Sequence, residues 1–235
     1  MEMEIIETIG LLKRIHVNII DNASKSSDFK KNDSYQVVEL LHKKIISLVE
    51  SVIILNRNYK YAESLMVIRN IFETSVFILY LKQYPFESRR WLSWNNLSFE
   101  EKEKIPKKQK EFEGYLKDKD YQQILDLVTK DNFFALRNFS PTLIRNMAFK
   151  DMSDNGSEYS EFYELVCKFS HPSFVSMAKN DKLDIHSKEH IDKTALFILL
   201  ESSVVFIWVL NNFIDTDLKD TFENEYKRRR KLLID

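Results

Sequence analysis

Residues 63–84 read ESLMVIRNIFETSVFILYLKQY and run up against Pro85. Wound at about 3.6 residues per turn, this stretch is apolar around most of its circumference. A helix of that kind belongs in the middle of a bundle, with other helices on several sides. The residue before a proline resists the α region, so the helix is expected from about Tyr61 to Tyr84. That expectation decides the fold: all-α, a multi-helix bundle.

Upstream, Val38, Leu41, Ile45, Leu48 and Val52 recur at helical spacing. They predict a helix over 34–57, opened by Asp33 and Gln36 in the manner of a capping box. Ile5, Ile9, Leu12 and Ile19 form the stripe of another helix over 2–21, and the polar stretch Asn22–Asp33 between the two is read as a loop. Downstream, aromatics cluster at Phe86, Trp91, Trp94 and Phe99. A charged helical insertion follows over 100–132, beginning EEKEKIPKKQKEFEGYLKDKD, whose alternating signs mark a solvated face. Ser140-Pro141 opens a short helix near 141–151, and Asn155-Gly156-Ser157 turns the chain into a helix over 157–170 that Pro172 ends. A long apolar helix capped by Ser187 covers 187–214, and a charged C-terminal helix covers 216–235. The whole, 1–235, reads as a single helical domain.

Composition agrees. The chain has 235 residues with 3 Gly and 4 Pro, where average usage would give about 28 of the two together. So few turn formers exclude a β-sandwich or barrel. Gly10, Gly114 and Gly156 form neither G-x-G-x-x-G nor a Walker A loop, which excludes dinucleotide-binding and P-loop enzymes at the motif level. Lys and Arg number 35 against 36 Asp and Glu, so nothing steers the whole molecule toward nucleic acid or an anionic membrane. Cys167 is the one cysteine; an intrachain disulfide and a Cys-based zinc site are both excluded, and a reducing cytoplasm is expected. Met1-Glu2-Met3-Glu4 lacks the basic start of a signal peptide. Residues 194–214, TALFILLESSVVFIWVLNNFI, approach membrane-spanning length, but Glu201, Ser202 and Ser203 split them. A carboxylate at mid-span costs roughly 2.5–3.5 kcal/mol, so a core helix and no membrane contact are expected.

Four places could carry chemistry. Arg69 and Glu73 lie four residues apart on the apolar helix, so they share a face. Burying either charge alone is costly, so each must be paired. The pair is either an internal salt bridge that fixes helix register or a polar site in the bundle core. In Glu161-Phe-Tyr163-Glu-Leu-Val-Cys167-Lys-Phe-Ser170-His171-Pro172, the residues Tyr163, Cys167, Ser170 and His171 fall along one side of a helix. His171 ends that helix, either capping a carbonyl or carrying a proton favoured by the dipole. His186 and His190 have a zinc-like spacing, with Asp181, Asp184 and Asp192 nearby, yet the intervening glutamate is misplaced for H-E-x-x-H. A polar helix start is the preferred reading, with no metal and no cofactor. Lys227, Arg228, Arg229, Arg230 and Lys231 make a basic patch that could touch RNA or lipid, although Asp215, Asp217, Asp220, Glu223 and Glu225 offset it.

The string LMVIRNIFETSVFILYL, followed about ninety residues later by YELVCKFSHPSF, resembles a bacterial all-helical domain of unknown function that stands beside the HEPN superfamily. The resemblance covers about 36–215. It implies a homodimer and a metal-independent ribonuclease of a defence or toxin system. HEPN ribonucleases carry Arg-polar-x(3–5)-His; here Arg69-Asn70 supplies the start, while Thr74, Ser75 and Val76 stand where the histidine belongs. His171 would have to arrive from another helix. On that reading Arg69, Glu73, Tyr163 and His171 converge as the catalytic set. The alternative is a non-catalytic module that binds a partner protein or nucleotide around a structural polar core.

Overall fold

The computed structural model describes residues 1–83, 85, 88, 92 and 185–234. The described residues form six α-helices, one 3-10 turn and no strand. In chain order these are α1 (Glu2–Ala23), α2 (Ser27–Lys31), α3 (Asp33–Arg57), α4 (Tyr61–Gln83), α5 (Ile185–Val209), the 3-10 turn Asn211–Phe213, and α6 (Thr216–Ile234). The all-α expectation holds.

α3, α4 and α5 pack against one another as a central trio; α1 lies on α3 and α5, and α6 on α1 and α5. The apolar circumference of α4 explains its place, because Leu65, Ile68, Ile71, Phe72, Val76, Phe77, Ile78 and Leu81 are all buried. Residues Tyr61–Lys82 are long and apolar enough to cross a membrane, and 56% of that window is buried inside the bundle. The same length test does not pick out residues 194–214. α5 stops at Val209, and its mid-helix Glu201 accepts a hydrogen bond from the Tyr226 hydroxyl at 3.0 Å.

Several boundaries differ from the sequence expectations. The loop expected at Asn22–Asp33 contains α2, capped by Ser26, whose hydroxyl accepts from the Asp28 amide. Asn32, not Asp33, caps α3: its side chain accepts from the amides of Ser34 and Tyr35. Gln36 does not close a capping box but donates to the Lys30 carbonyl at 3.1 Å. Ser187 lies inside α5, which begins at Ile185. The far end of α5 stops short of residue 214 because α1 takes over the polar groups of the turn. Asn18 Nδ2 donates to Asp215 at 2.6 Å, the Asp215 amide donates back to Asn18 Oδ1 at 2.9 Å, and Asn22 donates to the Phe213 carbonyl at 3.2 Å.

The α3–α4 turn shows how a glycine-poor chain reverses direction. Tyr59 takes the left-handed conformation, φ 57°, where glycine is usual. The Lys60 amide donates to the Leu55 carbonyl at 2.9 Å and the Tyr59 amide to Asn56 at 3.2 Å, completing a Schellman cap.

Candidate functional site

Arg69 Nε donates to Glu73 Oε1 at 2.9 Å, four residues along α4. The side chains are 18% and 25% exposed, between fully buried Ile68 and Ile71. The required pairing is therefore present within one helix. By itself, a partly exposed ion pair of this spacing adds about 0.3–0.5 kcal/mol. Tyr163 and His171, the other two members of the expected catalytic set, lie outside the described residues, as do Cys167, Ser170, Asp181, Asp184 and the His186 side chain. His190 is exposed on α5. Among the described residues no group of three His, Cys, Asp or Glu side chains could hold a metal.

Asp192, grouped with those histidines by sequence, serves elsewhere. It is buried and accepts from Asn56 Nδ2 at 2.6 Å, while the Ser64 hydroxyl donates to Asn56 Oδ1 at 2.6 Å. The three residues tie α5 to α3 and α4. Burial pushes the Asp192 carboxyl above its ordinary range, and the Asn56 hydrogen bond offsets part of that.

A second polar constellation escaped the sequence reading. His16 on α1, His42 on α3 and Ser203 on α5 form a buried chain. His16 Nε2 and His42 Nδ1 are 2.9 Å apart, and His42 Nε2 is 2.9 Å from Ser203 Oγ. The Ser203 hydroxyl donates its one proton to the Leu199 carbonyl at 2.5 Å. It therefore accepts from His42 Nε2–H, which leaves His42 Nδ1 as acceptor and His16 Nε2–H as donor. A proton on His16 Nδ1 would extend the chain to the Glu39 carboxylate at 3.3 Å, itself held by Lys43 at 2.5 Å. Although burial raises the Glu39 carboxyl, the hydrogen bonds from His16 and Lys43 outweigh it and hold the group below its usual range. Phe206 lies flat on His42, with ring centroids 4.0 Å apart and planes at 6°.

The order Ser–His–His–Glu has the look of a nucleophile with its base. Its surroundings give it a different job. Ser203 has no exposed surface and spends its proton on its own helix. The relay is a tie across α1, α3 and α5.

The relay makes stability depend on pH. Burial, and then the charge of His16, push the His42 imidazole well below its ordinary 6.5. Unfolded His42 binds a proton near that value, whereas the folded form does so only at much lower pH. The unfolded state thus binds more protons in this window, and stability falls as pH falls through it. Thermal unfolding between about pH 7.5 and about pH 5 should show a steeper loss for wild type than for His42→Gln, which keeps hydrogen-bonding groups but does not titrate there. Parallel pH profiles would show that His42 is not the acid-sensitive group.

With this geometry in view, comparison with known families is informative. A family model matches residues 35–190, more than half of the chain. The chain belongs to DUF5677, a family of unknown function. No curated protein and no solved structure matches. The DUF5677 segment holds α3 from Tyr35 onward, all of α4 and the start of α5, so Arg69, Glu73, Tyr163 and His171 all fall within it. The expected membership of a helical family of unknown function is met. His42 is inside the DUF5677 segment, while His16 and Ser203 are outside, so the relay joins family and flanking elements.

The basic run lies outside the DUF5677 segment as well. Every member of its first four is paired. Lys227 meets Glu223 at 2.6 Å, Arg228 meets Glu4 at 2.6 Å, and Arg230 meets Glu201 at 3.0 Å. Arg229 is buried between Glu4 at 3.0 Å, Glu7 at 3.0 Å and Glu225. Glu223 and Glu225 supply part of the offset, as the sequence suggested, and Glu4 and Glu7 of α1 with Glu201 of α5 supply the rest.

Proposed function

We propose that this DUF5677 chain is a HEPN-like helical protein acting in the bacterial cytoplasm as a metal-independent ribonuclease of a defence or toxin system. One observation supports the reading: a partly buried Arg69–Glu73 pair placed inside a single central helix. The pair keeps two charges on a helix of the central trio. A guanidinium oriented by a carboxylate on its Nε edge suits recognition of a phosphate. In this reading His171 takes the 2′-hydroxyl proton, Arg69 stabilises charge on the phosphate, Glu73 orients Arg69, and Tyr163 positions the substrate. The RNA-bearing complex would be a homodimer.

A second reading is a non-catalytic module that binds a partner protein or nucleotide. The observation favouring it is the basic run, whose charges are spent on acids of the same chain. Inducing wild type, His171→Ala and Arg69→Ala side by side separates the two. The ribonuclease reading expects growth arrest and fragmented total RNA from wild type alone. It also expects Arg69→Ala and His171→Ala to accumulate as folded helical protein by circular dichroism, so that loss of cleavage reports on the chemistry. Intact RNA in cells full of folded wild type would retire the ribonuclease and leave the binding module.

A further inference from the structure

We propose that the outward face of α1 is the interface with a second copy of this chain, the two α1 helices running antiparallel. α1 turns Ile5, Ile9, Leu12, Ile15 and Ile19 to the core. The opposite face should be polar, and it is not. Met3 is 64% exposed, Ile6 37%, Val17 60% and Ile20 49%. With Gly10 and Lys13 these residues fall at 3, 6, 10, 13, 17 and 20, alternating three and four apart. That is the spacing of a coiled-coil seam, here on the side away from the protein's own core. α3 borders this face through Lys13–Glu50, and α6 borders it through Glu7–Arg229.

Gly10 adds an independent sign. Glycine inside a helix costs about 1 kcal/mol relative to alanine. Among the described residues nothing lies within 4 Å of where its Cβ would be, so no contact there calls for glycine. A missing side chain at the centre of a seam lets a facing side chain come close.

The occupant follows from how the seam pairs with itself. Antiparallel pairing of these positions sets Met3 against the copy's Ile20, Ile6 against its Val17, and Gly10 against its Lys13, each twice by symmetry. The lysine then falls opposite the glycine, where there is room for its stem. A shallow depression of about 360 Å³, lined by Lys13, Arg14, Val17, Asn18 and Asp21, lies where the copy's Ile6 would enter. On the flank, Glu7 comes opposite Arg14 of the copy. Arg14 is exposed and makes no ion pair among the described residues. A parallel, in-register pairing would instead set Lys13 against Lys13 within the seam, so charge selects the antiparallel form.

The test is light scattering at tens of micromolar together with a cross-link. The proposal expects a dimer mass for wild type and about tenfold or more weaker association for Val17→Glu, whose helicity stays that of wild type because the site is exposed within one chain. In a Cys167→Ser background, Ile6→Cys combined with Val17→Cys should form an intermolecular disulfide on mild oxidation, and Ile6→Cys alone should not. A monomer at these concentrations overturns the proposal. A dimer indifferent to Val17→Glu also overturns it, since some other face would then be the interface.

Discussion

Phe206→Ala is expected to lower stability by about 3–5 kcal/mol, the upper range for loss of a buried aromatic side chain. Phe206 has no exposed surface. Its ring lies flat on His42 at 4.0 Å and tilts against His16 at 4.6 Å. Truncation therefore removes apolar contacts and also the wall that closes the histidine pair. The gap is bordered by two imidazoles whose hydrogen bonds are already committed, so neighbouring side chains have little freedom to collapse into it. Trp208, two residues further along α5, is the control. It is larger, but 61% exposed, with the Lys82 ammonium 4.4 Å from its ring centroid. Trp208→Ala should cost no more than about 1 kcal/mol. Urea unfolding of the two variants would check this, and equal midpoints would mean that α5 is not seated in the core as described.

Arg229→Met should destabilise by about 2–3 kcal/mol, whereas Arg228→Met should stay below about 1 kcal/mol. The two arginines are neighbours in one run and contact the same acids, Glu4, Glu7 and Glu225. They differ in surroundings: the Arg229 side chain is 3% exposed and that of Arg228 46%. Arg228 trades one set of partners for water. Arg229 cannot, and its loss leaves two α1 carboxylates facing α6 with one charge fewer to hold them. The Glu4 carboxyl, bonded by Arg228 and drawn down further by Arg229, sits below its usual range. Equal losses from the two substitutions would show that burial of Arg229 carries no energetic weight.

These contrasts explain what the sequence made legible. α4 could be read because its signal is local: apolar residues on all sides and a proline at the end. α2 could not, since five residues are too few for a periodicity. Asn32 and Asp33 are both good caps, and only the extended backbone of Asn32, φ −106° and ψ 100°, decides between them. The relay was invisible for another reason. His16 and His42 each look like one polar residue on an apolar stripe. Their bond spans 26 positions, and that from His42 to Ser203 spans 161. The partners of the basic run were readable in part: Glu223 and Glu225 stand close in sequence and do meet it, whereas Glu4, Glu7 and Glu201 reach it only through the fold. Arg69 and Glu73 were readable as a pair because four residues on a helix is a local relation, whereas their convergence with Tyr163 and His171 depends on residues outside those described.

The pairing of α1 with α6 also bears on how the chain is made. Glu4 and Glu7 bond arginines that lie 224 and 222 positions later. During synthesis α1 leaves the ribosome long before its counter-charges exist, with two glutamates clustered and part of its core-facing stripe uncovered. Closure must wait for α6, so the later helix is a clasp on the earlier one. Contacts of such sequence separation slow folding and extend the life of partly folded forms. Nascent chains stalled before residue 216 should accordingly be cut by protease within α1, and chains released with α6 in place should be protected there.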